Sequence, residues 1–166
     1  DIIHAGVKHL ADFLHMLGNP VAVIDSTGST SMTRSLNLSY PLGILDVQRT
    51  LAVCAEDGVA AVIIAMNNAT LQREALESVN VDVLGSERVA QGEDVASLKT
   101  RYAFVSDRAL ALTVPTGESD ELAAESPAMF DQDRLGHMSL AVAMVLAAGV
   151  RRNNVRSALR VANNLR

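Results

Sequence analysis

The stretch "VAVIDSTGSTSMTRSL" (21–36) holds the residues best suited to chemistry: an apolar run, then hydroxyls and a glycine. A phosphate loop has this outline. Successive backbone N–H groups curl around the phosphates at a helix N-terminus, glycine permits the curl, and lysine supplies a point charge. Here Ser26, Thr27, Gly28, Ser29, Thr30 and Ser31 are the candidate nucleotide-binding residues, with Thr30 and Ser31 offering a hydroxyl to Mg²⁺. Asp25 stands where the first glycine belongs and Ser29 where the lysine belongs. An aspartate beside phosphate oxygens repels them. A phosphate loop, its relic, and an ordinary capped strand-to-helix turn all remain readings of these residues.

Asn67 and Asn68 follow the apolar run "VAAVII" (59–64). The carboxyl ends of parallel strands are where open α/β sheets bind ligands, so both are candidate substrate contacts, against a plain loop-start role. His4, His9 and His15 are spaced by five and six residues, unlike the i, i+4 pair of a metal-binding helix. They read as exposed helix residues, and His137 as a cap or surface residue. No Cys/His cluster exists to hold a structural metal. Arg152, Arg156 and Arg160 form one stripe, and with Arg151 and Arg166 give the last sixteen residues a run of five bases. Residues 117–133 carry six acids and no base. These charges are expected to meet within the fold or across a contact, or else to be solvated separately.

The elements that would carry these residues follow from periodicity. Ile3, Val7, Leu10, Leu14 and Leu17 predict a helix over 2–17, stopped by Gly18-Asn19-Pro20. Further helices are expected at 30–37, 44–57, 70–78, 93–103, 137–149 and 151–165. Strands are expected at 21–24, 59–64, 79–85 and 108–114, with a long acidic loop at 115–135. Apolar strands alternating with helices predict a three-layer α/β domain over 1–166, with a mainly parallel sheet, helices on both faces and a helical tail from about 136.

Composition narrows the classes. Of 166 residues 49% are apolar, enough for one core, and aromatics are 3% with no Trp, which disfavours stacking on single-stranded nucleic acid. A net charge of −5 gives no pull toward nucleic acid or anionic membrane. One cysteine, Cys54, allows no internal disulfide, which fits a reducing compartment. No apolar run reaches the ~18 residues of a membrane span. "DIIHAGVKHL" does not read as a signal peptide, so a cytoplasmic location is expected.

In its order of segments the chain resembles the central ATP-binding domain of the Mur ligase superfamily, in particular the muramyl-tripeptide synthetase and poly-γ-glutamate synthase branch. The family's T-G-x-x-G-K-[ST] lies over "IDSTGSTS" without a gap. "DVQRTL" (46–51) matches its Leu-Gln-Arg helix, and "IIAMNNATL" (63–71) stands over a strand ending in Glu-Val-Ser-Ser-His. "VNVDVLG" (79–85) falls at the spacing of the next strand. "GEDVASLKTRYAF" (92–104) covers the segment of a carbamylated, metal-holding lysine, which makes Lys99 its counterpart and the candidate catalytic residue. "LGHMSLAVAMVLAAGVRRNNVRSALRVA" (135–162) is similar to the closing Ala-rich helices.

The resemblance implies ATP and Mg²⁺ as cofactors and amide-bond formation through an acyl phosphate. Against it, Ser29 replaces the lysine, Ala65 the glutamate and Asn67-Asn68-Ala69 the Ser-Ser-His, while "GSERVAQG" (85–92) lacks the family's histidine. Three expectations follow. One is a degenerate regulatory, scaffold or assembly subunit with a protein partner or a second copy of itself. Another is an active ATP-dependent carboxylate–amine ligase. The third is a small anion-binding module.

Overall fold

The computed structural model describes residues 2–86, 94–107, 110–125 and 132–161, excluding the side chains of residues 2, 132–134, 160 and 161. Helix α1 (Ile2–Met16) leads into β1 (Val21–Ile24), followed by β2 (Ser29–Ser31), β3 (Arg34–Leu36), α2 (Ile44–Glu56) and β4 (Ala61–Ile64). Then come β5 (Leu84–Gly85), α3 (Val95–Tyr102), β6 (Leu112–Thr113), α4 (Gly117–Ala124), α5 (Gln132–Ala147) and α6 (Arg152–Val161).

The fold is mixed α/β, but the sheet is not the expected parallel one. Its strand order is β3-β2-β1-β4. β1 pairs parallel with β4, while β1–β2 and β2–β3 are antiparallel. β5 and β6 form a separate two-stranded parallel sheet. The expected helix at 30–37 is instead a hairpin, with Ser31 opposite Arg34 across a turn of Met32 and Thr33. Residues 70–78 form turns rather than a helix, and the expected acidic loop contains α4. The strands expected at 79–85 and 108–114 shrink to β5 and β6, with residues 108 and 109 outside the described ones.

The period-2 alternation of a strand explains how the core divides. Val21 of β1 and Ile63 of β4 face a cluster built by Val7, Leu10 and Phe13 of α1 with Val142 and Val145 of α5 and Leu159 of α6. Ile24 and Ile64 face the other way, toward Val47 of α2, Leu71, Leu76, Tyr102 and Phe104. α5, apolar on most sides, packs on both α1 and α4.

Polar contacts fix the ends. Asp46 Oδ2 accepts the Gly43 N–H at the start of α2 (3.0 Å), and Asp94 Oδ1 accepts the Ser97 N–H at the start of α3 (2.7 Å). Thr116 and Ser119 cap α4 reciprocally, side chain to backbone, at 3.0 and 2.7 Å. Ser119 Oγ also meets Ser139 Oγ of α5 at 2.7 Å. The acidic and basic segments do meet: Arg152 Nη1 lies 3.2 Å from Glu118 Oε1, and Arg156 Nε 3.2 Å from Glu125 Oε2. Arg166, Asp131 and the side chains of Arg160 and Asp133 lie outside the described residues.

Candidate functional site

The connection from β1 to β2 is the loop singled out by sequence. β1 ends at Ile24 because Asp25 turns the chain: its carbonyl accepts the Gly28 N–H at 3.0 Å. Gly28 takes φ 152°, a backbone that side chains disfavour. The strand that follows runs back along β1, so no helix begins at the end of this loop. This corrects the strand-to-helix geometry that the phosphate-loop reading of residues 26–31 requires.

The loop's backbone donors are already engaged. Asp25 N–H donates to Ser29 Oγ (3.1 Å) and Ser26 N–H to Thr70 Oγ1 (3.1 Å). Thr27 N–H donates to Asp25 Oδ1 (3.2 Å), and Gly28 N–H to the Asp25 carbonyl. The carboxylate of Asp25, 2% exposed, therefore fills a position that a ligand phosphate would need. His4 Nδ1 approaches Asp25 Oδ2 at 2.8 Å and Thr27 Oγ1 at 2.5 Å, closing the loop against α1. Ser29 Oγ donates to the Asp25 carbonyl (3.2 Å) and meets the Tyr40 hydroxyl at 2.5 Å. Thr30 and Ser31 belong to β2 rather than to a ligand-facing helix start. Ser31 Oγ, buried, donates to Asp57 Oδ2 at 2.6 Å, and Arg34 Nη2 donates to the same oxygen. Ser31 first, and Arg34 with it, hold the Asp57 carboxyl below its ordinary value.

Asn67 and Asn68 do lie just beyond the carboxyl end of β4, near the loop. Asn67 Oδ1 accepts the Thr70 N–H at 2.9 Å, a side-chain turn that presents Thr70 to Ser26. Asn68 Oδ1 accepts from the Tyr102 hydroxyl at 3.0 Å. Both thus brace loop and helix. Lys99 is exposed on α3, and its carbonyl accepts the Ala103 N–H at the helix end.

The cluster has members that sequence reasoning did not select: His4, Tyr40, Thr70 and Tyr102. Only Asp25 carried a signal, as a misfit in the loop pattern. His9, expected as an exposed helix residue, and His137, expected as a cap or surface residue, bring their ring centroids to 5.1 Å between α1 and α5. Burial pushes the Cys54 thiol up from its ordinary value, which suits an inert core cysteine. Among the described residues, no three His, Cys, Asp or Glu side chains gather as a metal site, and no helix is long and apolar enough to cross a membrane.

Chemically, the loop is a self-satisfied turn with a buried carboxylate at its centre. Compared with known proteins, the chain matches no family model, no curated protein and no solved structure.

Proposed function

We propose that the chain is a degenerate Mur-ligase-like module that acts as a regulatory, scaffold or assembly subunit and does not depend on nucleotide. The observation that supports this reading is the saturation of the 25–28 N–H groups by Ser29, Thr70 and Asp25 itself. Phosphate capture by a loop relies on such donors being free and on nearby positive charge. Here the nearest built-in charge is the buried Asp25 carboxylate, and Ser29 occupies the lysine position. The same arrangement disfavours both an active ligase and an anion site at this loop.

Thermal unfolding with Mg²⁺–ATP, set against Mg²⁺–sulfate, tests the reading. A ligand at 100 times its Kd stabilises by ~2.7 kcal/mol, a rise of several degrees for a domain of this size. We expect equal midpoints with both salts. A rise with ATP alone would overturn the proposal and reinstate a ligase. Sedimentation of the nucleotide-free chain, alone and with candidate partners, then reads association directly.

A further inference from the structure

A cavity of about 360 Å³ lies at the open edge of β4, the last strand of the four-stranded sheet. Ile63 and Ile64 both line it, although neighbouring residues of a strand face opposite sides. A space that touches both must lie beside the strand rather than above or below it. The far wall is Leu84 and Gly85 of β5, and the flanks are Val7 of α1 and Met144 of α5. The cavity therefore separates the edge of the main sheet from the small second sheet.

Its chemistry is uniform. Among the described residues, the lining consists of aliphatic side chains, methionines, alanine and glycine, with Ser86 as its one hydroxyl-bearing member, and none of them is charged or aromatic. Binding sites for small molecules are concave and mostly apolar, in the size range of ~300–1,000 Å³. An apolar protein cavity of ~150 Å³ takes up benzene, so one of this size suits about 10–15 non-hydrogen atoms. A charged group within it would be desolvated without a partner. Unbranched methionines at Met66 and Met144 adapt their shape to a flexible chain.

We propose that this cavity is a binding site for one neutral aliphatic molecule of about 10–15 non-hydrogen atoms. The site is independent of the loop at 25–28, so it stands or falls apart from the nucleotide question.

The test is a titration of the intact chain, carrying ¹³C-methyl methionine, with 1-decanol and separately with decanoate. Met66 and Met144 line the cavity, whereas Met32 is 48% exposed in the β2–β3 turn. We expect saturable shifts of the Met66 and Met144 methyl signals at one equivalent, a still Met32 signal, and decanoate binding at least tenfold weaker. Gly6→Leu on α1 and Ala141→Leu on α5 each add bulk from a lining position, and each is expected to weaken decanol at least tenfold. Shifts that do not saturate, that include Met32 equally, or that decanoate reproduces at equal affinity would overturn the proposal. So would wild-type affinity in a folded leucine variant. If neither variant folds, the methionine pattern of the native chain decides.

Discussion

His4 Nδ1 lies 2.8 Å from Asp25 Oδ2, which ties the first turns of α1 to the end of β1. The two partners are unequal: the Asp25 side chain is 2% exposed and that of His4 44%. Removing the buried partner also strands the Thr27 N–H. Asp25→Ala is therefore expected to cost about 2–3 kcal/mol, as for a lost hydrogen bond to a buried carboxylate. His4→Ala, at a half-exposed contact, should cost under about 1 kcal/mol. Urea denaturation of both variants checks this. Equal losses would mean that the loop is not organised around Asp25.

The Ser31–Asp57–Arg34 group sets an acid limit. Ser31, and then Arg34, depress the Asp57 carboxyl below its ordinary 3.8 in the folded chain. The unfolded chain therefore takes up this proton first as pH falls. The contribution of Asp57 is complete above its unfolded value and is lost as pH drops below about 4 toward the folded value. Denaturation of the native chain and of Asp57→Asn between pH 3 and pH 6 reads this. The stability gap between them should be widest near pH 6 and narrow toward pH 3. A gap independent of pH would contradict the assignment.

Ser119 and Ser139 join α4 to α5 through a buried hydroxyl pair, and Asp120 Oδ1 accepts from Ser139 Oγ at 2.5 Å. Thr116→Ala should cost about 1 kcal/mol as a lost cap, and Ser139→Ala a similar amount as a lost hydrogen bond. Both changes act on Ser119, so the double variant should depart from additivity by about 0.5 kcal/mol or more. A double-variant cycle in urea measures the coupling. Strict additivity would show that cap and bridge work separately.

Periodicity exposed some elements and concealed others. α1, α2, α3, α5 and α6 were legible as helical segments from the sequence, α1 most plainly because its apolar residues recur at helical spacing. β1 and β4 were legible as unbroken apolar runs. The β2–β3 hairpin was not, since its turn lacks the usual Asn-Gly or Asp-Gly pair. Met32 takes φ 58° there, a backbone normally left to glycine. With the hairpin unseen, the hydroxyl-rich loop read as the start of a helix. The candidate residues 26–31 do form one loop and strand, and Asn67 does reach them through Thr70. Their partners Tyr40 and His4 come from distant positions whose pairing no local pattern announces. α4 was hidden because acidic residues fill its exposed side while its buried side holds only Ser119, Leu122 and Ala123, too few apolar residues to mark a helical period.

The packing of α1 on α5 has a kinetic side. These helices stand near opposite ends of the described chain, yet Phe13 and Val142 belong to one core. Closing so long a loop must precede the contact that rewards it, which slows folding relative to a chain built from neighbours. During synthesis, α1 emerges long before α5, so Val7, Leu10 and Phe13 have only β1 and β4 to pack against until α5 arrives. The apolar face of α1 thus stays partly open over the interval in which the residues between it and α5 are made.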